Sequence, residues 1–300
     1  MRVEERESVR RRSTLIGGTA VLMWGALALL TTWTGVVPPF QLVAMAFSVA
    51  FVLTLATWLY RGVDPCAFLR HPPSVWLLGI GGLFGYHFFY FMALKNAPPV
   101  EAGLIAYLWP LLIVVFSALL PGEKLTWRHV VGALAGLVGT ILLVTGGGAV
   151  HFQSVHALGY AAAAACALTW SGYSILSRRF GDVPTDTVGW FCGAAAVLGA
   201  LCHIVFEETS WPGDVWEWLA VFCLGLGPVG AAFFTWDIGV KRGDIKVLGA
   251  FSYAAPLIST LLLIGFGEGE ASWVVASACL LIVGGAVIAA LDMIRGRVAT

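Results

Sequence analysis

Eleven large side chains with a polar tip or an ionisable ring lie inside apolar stretches of this 300-residue chain: Trp24, Tyr86, His87, Tyr90, Tyr107, Trp109, Trp170, Tyr173, Trp190, Trp236 and Tyr253. Tyr86, His87 and Tyr90 stand three and four residues apart, so on a helix they share one face. Hydroxyls, indole N–H groups, an imidazole and stacked rings hold a ligand rather than cut one. They suit a neutral or zwitterionic solute with an apolar or aromatic body, and a quaternary cation caged by rings is the alternative. His87 reads as functional, since an ionisable group deep in an apolar span is costly; a neutral His bonded to a tyrosine is the other reading. Deep carboxylates are missing. Glu101, Asp237 (one turn before Lys241) and Asp292 (before Arg295) fall near span ends as interfacial pairs. A solute exchanged against protons usually needs a deep Asp or Glu, so facilitative movement is expected, with His87 tuning recognition.

Two further groups repeat one pattern. Gly103, Tyr107 and Pro110 share a helix face, and Gly249, Tyr253 and Pro256 repeat it at the same spacing. Each proline removes a backbone donor and frees the carbonyl four residues earlier, at Ala106 and Ser252. Interrupted helices of this kind, in corresponding halves of a membrane chain, point to a binding site at midmembrane. The expected binding set is therefore Trp24, Tyr86, His87, Tyr90, Tyr107, Trp109, Trp170, Tyr173, Ser252 and Tyr253, with Gly103, Pro110, Gly249 and Pro256 as hinges. Kinks that merely shape packing are the alternative.

These residues must be positioned by membrane helices. The chain is 59% apolar and 11% charged, with mean hydropathy +0.87, against about 25% charged for soluble domains. A bilayer core takes roughly 20 apolar residues per helix. Ten such stretches occur, near 14–31, 38–60, 74–93, 97–120, 127–145, 157–177, 186–206, 215–239, 246–266 and 271–291. Shifting the chain by 146 residues aligns Trp24 with Trp170, Pro38 with Pro184, Lys95 with Lys241, Tyr107 with Tyr253, Pro110 with Pro256 and Trp127 with Trp273. The expected fold is all-α: a first five-helix repeat over 14–145 and a second over 157–291, between a segment 1–13 and a tail 292–300. Five spans per repeat invert the second copy. Alternating the sides puts 16 of 17 basic residues together, from Arg2, Arg6, Arg10, Arg11 and Arg12 to Arg295 and Arg297, with Lys95 alone opposite. The positive-inside rule then places both termini in the cytoplasm.

Other chemistry is excluded or weak. Gly225, Gly227 and Gly230 spell a dinucleotide fingerprint, but within an apolar span they read as a close-packing helix surface. GxxxxGK[ST], HExxH and GxSxG are missing, and the six cysteines form no CxxC pair, so no enzyme, cofactor, metal site or nucleic-acid partner is expected. Trp33, Trp58, Trp76, Trp127, Trp211, Trp216, Trp218 and Trp273 fall near span ends as belt residues. Gly132, Gly136, Gly139, Gly284 and Gly285 suit helix contacts within a monomer. An ion channel or a structural membrane protein are the remaining alternatives.

Ten spans, the inverted repeat, Trp24-Gly25 and Trp170-Ser171, and the run AGLIAYLWPLLIVVFSALLPGEKLTWRHVVGALAGLVGTILL resemble the drug/metabolite transporter superfamily, in particular its EamA-type members. Tyr107, Pro110, Glu123 and Gly132 sit as that pattern expects. In the second copy the glutamate is displaced to Glu268 or Glu270, and no role is carried there. The segment YHFFYFMALKNAPPVEAGLIAYLWP is similar to the family's exporters of aromatic amino acids. This resemblance implies efflux of aromatic and other neutral amino acids through a bacterial cytoplasmic membrane, from a cavity lined by both halves.

Overall fold

Proline and aspartate start many of the helices. Pro39, Pro73 and Pro99 stand at first positions, where a missing N–H costs nothing. Asp214 and Asp244 cap two others through backbone N–H groups. A computed structural model describes residues 3–267 and 270–294. Arg2, Glu268, Arg295 and Arg297 lie outside the described residues, as does the Asp292 side chain.

The described helices form ten rods. The first is α1 (Val3–Gly25) with α2 (Leu27–Thr32); then come α3 (Pro39–Tyr60), α4 (Pro73–Asn96), α5 (Pro99–Ala106) with α6 (Trp109–Phe116), and α7 (Trp127–Thr145). The second half holds α8 (Ala157–Leu176), α9 (Val188–Phe206), α10 (Val215–Leu226) with α11 (Ala232–Arg242), α12 (Ile245–Phe251) with α13 (Ala254–Gly265), and α14 (Trp273–Ile294). Nine rods are long and apolar enough to cross a bilayer. The tenth, α8, is diluted by Trp170, Ser171, Tyr173 and Ser174, and all four are buried in the bundle. The protein is an all-α integral membrane protein.

The dominant pairings are α7 on α14, α3 on α9, α1 on α11 and α4 on α8. The 146-residue offset turns the first two pairs into themselves and exchanges the last two, so the packing carries the repeat as a pseudo-twofold. Gly132 and Gly285 let two backbones touch where α7 crosses α14: a Cβ on either would stand 2.5 Å from the other's carbonyl oxygen. This glycine seam is internal to the monomer.

Several expectations need correction. The helix breaks precede the prolines, at Tyr107–Leu108 and Ser252–Tyr253. Pro110 and Pro256 stand in the first turns of α6 and α13, where no intrahelical donor is lost. The Ser252 carbonyl is occupied, accepting the Ala255 N–H at 3.1 Å. Two more breaks lie at Ala26 and in a π-helical turn over Gly227–Ala231, so the glycine fingerprint begins as the expected close-packing surface, with Gly225 against Ala46 and Val49 of α3, and runs on into a distorted turn. Among the belt residues, Trp33, Trp127, Trp211, Trp216, Trp218 and Trp273 are exposed. Trp58 is fully buried, its N–H donating to Asp186 at 2.8 Å, because a neighbouring carboxylate is a better partner than interfacial water. Trp76 is half-buried, edge-on to Phe191.

Candidate functional site

Four indoles from four rods meet at the centre of the bundle: Trp24 of α1, Trp109 of α6, Trp170 of α8 and Trp236 of α11. Trp24 stands 6.1 Å from Trp109, 5.5 Å from Trp170 and 5.0 Å from Trp236, centroid to centroid. The first two contacts are edge-to-face, an arrangement attractive in its own right at this range, and the third is tilted. The Trp24 N–H donates to the Pro228 carbonyl at 3.1 Å and the Trp236 N–H to the Ser174 hydroxyl at 3.1 Å. The π-turn thus supplies an acceptor that a regular helix would keep for itself.

Tyr86 and Tyr90 stack with their planes 3° apart, and Tyr86 reaches Trp170 at 5.5 Å. His87 lies 5.3 Å from Phe47, 5.4 Å from Tyr86 and 6.3 Å from Phe233. Its Nδ1 is 2.7 Å from the Leu83 carbonyl. A carbonyl only accepts, so Nδ1 carries a proton, and in the neutral form of the ring Nε2 is an acceptor. The partner of His87 is therefore backbone, not a tyrosine. The box is continuous, and burial grades along it: Trp236, Trp170 and Trp109 are buried, while Tyr86, His87, Tyr90 and Tyr107 are half-buried.

Other residues of the expected set serve elsewhere. The Tyr253 hydroxyl accepts the Leu111 N–H at 3.2 Å, tying α13 to the first turn of α6, and its ring covers Gly136 of α7. Ser252 is buried, its hydroxyl on the Leu248 carbonyl at 2.7 Å. Tyr173 lies behind Trp170 at 5.1 Å. Gly103 faces open space, whereas a Cβ on Gly249 would stand 2.9 Å from Val114 and 3.1 Å from the Pro110 carbonyl. Trp190 donates to the Pro65 carbonyl, outside the box. Phe47, Phe91 and Phe233 belong to the box and carry no polar tip to draw attention in the sequence. Phe233 and His87 are nonetheless repeat mates at the 146-residue offset.

One end of the bundle is closed by charge. Glu123, in the α6–α7 loop, accepts from Lys246 Nζ at 2.6 Å, Arg178 Nη1 at 2.7 Å and Arg10 Nη2 at 3.2 Å. Arg10 also reaches Asp244 at 2.8 Å, and Arg178 Nη2 donates to the Gly243 carbonyl at 2.5 Å. Four separate segments are joined here. Burial by itself would raise the Glu123 carboxyl, but Lys246, Arg10 and Arg178 outweigh it and hold the group below the usual carboxylate range. In the sequence these cations were legible only as a sided charge bias. The other carboxylates near the rods are also engaged: Asp237 with Lys241 at 2.9 Å and Thr185 at 2.7 Å, and Glu101 with the Tyr160 hydroxyl. Asp237 pairs with Lys241 at the end of α11 as expected, but the pair is nearly fully buried against the α8–α9 connection rather than open to water.

The pattern of the EamA-like transporter family matches residues 13–145 and again 157–291. The "Aromatic amino acid exporter YddG" of Ancylobacter novellus is 58% identical over 94% of this chain and 98% of its own length. The protein of that name from Escherichia coli K12 is 24% identical over 96% and 99%. A "Probable terminal-alkyne amino-acid exporter" of Streptantibioticus cattleyicolor is 21% identical over 80% and 83%. A protein of known crystal structure, 58% identical, superposes with a TM-score of 0.89 over 94% of this chain and 99% of that one.

Proposed function

From the premise that this chain belongs to the EamA-like transporter family, and is a transporter rather than an enzyme, we propose that it exports aromatic and other neutral amino acids from the bacterial cytoplasm by alternating access, as a monomer. The observation that carries this reading is the continuous box of Trp24, Trp109, Trp170, Trp236, Tyr86 and His87 between the two repeats. An aromatic side chain stacks among the indoles. The ammonium and carboxylate of the solute meet the hydroxyls of Tyr86, Tyr90 and Tyr107 and the Nε2 acceptor of His87.

The basic end faces the cytoplasm by the positive-inside rule, with both termini there. The Glu123 cluster then closes the cytoplasmic side, and the half-buried tyrosines lie toward the outside. This is an outward-facing state. Return to the inward-facing state breaks the Glu123 contacts, with the paired breaks at Tyr107–Leu108 and Ser252–Tyr253 as hinges and Gly103, Pro110, Gly249 and Pro256 beside them.

Counterflow of labelled phenylalanine and threonine in proteoliposomes tests the proposal, with empty liposomes as control and His87→Ala alongside. Saturable exchange that favours phenylalanine is expected. Absence of exchange in folded protein, with transport of a quaternary dye instead, refutes the amino acid reading in favour of organic cations.

A further inference from the structure

A small cavity of about 20 Å³ lies between α4, α8, α9 and α11, on the far side of Tyr173 from Trp170. Its polar lining is Tyr173, Ser177, Asp237 and Lys241. Tyr173 is 2% exposed, and its buried hydroxyl, with the Ser177 hydroxyl and the Asp237 carboxylate as polar neighbours, makes no well-formed hydrogen bond. Native proteins rarely leave such a group unpaired. A water molecule needs about 10–15 Å³ of such space and two to four polar partners, and the cavity meets both conditions. Lys241 spends one N–H on Asp237 and one on the Val183 carbonyl at 2.9 Å, which leaves its third N–H. Asp237 takes Lys241 and Thr185 on the same oxygen, Oδ2, so Oδ1 has capacity.

We propose that this cavity binds one water, which accepts from Tyr173 and Lys241 and donates to Asp237, and that Tyr173 is a positioning residue that couples the aromatic box to the charged closure. One face of the Tyr173 ring rests on Trp170. Its hydroxyl, through the water, holds the last turn of α11. That turn ends at Gly243, whose carbonyl is gripped by Arg178. Movement of Trp170 when a solute enters therefore reaches the Glu123 cluster through one bridged contact. This inference rests on the export reading for its transport readout, and on the cavity alone for its structural one.

Tyr173→Phe keeps the ring and removes the hydroxyl, so the sign of its effect decides. With the water in place, Tyr173→Phe lowers the Tm and slows phenylalanine counterflow about fivefold, the factor for one net hydrogen bond, with KM changed less than twofold. In an Asp237→Asn background the same change adds little further loss. A raised Tm, as expected when an unpaired buried hydroxyl is removed, overturns the proposal; so do equal, additive losses in the two backgrounds. Hydroxyl-radical labelling of the wild-type protein needs no variant: Tyr173 is marked despite its burial if water sits against it. An unmarked Tyr173 beside a marked Tyr160 refutes the site. Failure of wild-type counterflow refutes the export reading, and the Tm and labelling results still decide the water.

Discussion

Replacing Glu123 with Gln should unlock the charged end. The two contacts that matter are those with Lys246 and Arg178, whose side chains are 6% and 16% exposed. Arg10, at 39%, is screened by solvent and adds little. A hydrogen bond to a charged partner contributes about 1.5–3 kcal/mol. Glutamine retains one acceptor, so the loss across both contacts is about 3 kcal/mol. If these contacts exist only in the closed arrangement, the equilibrium moves by roughly 150-fold toward opening. Spin labels at Lys124→Cys and Arg179→Cys, two exposed positions flanking the cluster, would report it by pulsed electron resonance in nanodiscs, with Cys66 replaced by serine. The parent protein should give one short distance, and Glu123→Gln a second, longer population. Because the folded Glu123 carboxyl titrates below its unfolded value, its stabilisation is complete at neutral pH and fades only as pH falls through the depressed value, under the ordinary glutamate figure of about 4.3. The long population in the parent should therefore appear only in that acid range. An unchanged distance in folded Glu123→Gln protein would show that the cluster does not hold the end shut.

Tyr107→Ala or Trp109→Ala should lower counterflow at least tenfold with normal membrane insertion, whereas Trp273→Phe, on an 89% exposed ring, should leave it within twofold; tenfold and twofold here are about 1.4 and 0.4 kcal/mol. Gly249→Ala should cost about 1–3 kcal/mol of stability through its collision with Val114 and the Pro110 carbonyl, read as a lower Tm, while Gly103→Ala should be silent. Trp58→Phe should destabilise by about 1 kcal/mol, because it removes one donor from the Asp186 carboxylate while Arg61 and water remain on it; thermal unfolding checks it.

Hydropathy, the odd span count and the charge bias made the ten rods legible, and rare residues at one offset made the repeat visible. Even α8, whose polar residues dilute it, was recognisable by length. The matched Tyr107 and Tyr253 marked where two helices break, because a tyrosine, a glycine and a proline at one spacing are uncommon in such a chain. Their roles were not legible: Tyr107 is half-buried beside the box, whereas Tyr253 clamps α6, and only tertiary packing separates them. Trp58 was misplaced because position along a span says nothing about which face meets lipid. The burial of the Asp237–Lys241 pair was not legible for the same reason. The Glu123 cluster joins residues more than 50 apart in sequence, and no local pattern encodes such a meeting.

The pairing of His87 with Phe233 across the pseudo-twofold has an evolutionary consequence. Two identical five-helix subunits, inserted in opposite senses, would offer histidine on both sides of the box or phenylalanine on both. They could not share one basic face either, since each copy would have to tolerate both orientations in the bilayer. A single polypeptide that carries both copies is free of that constraint, and here one half carries the imidazole and the other a plain ring. A solute seated as proposed would meet an imidazole on one wall and a plain ring on the other.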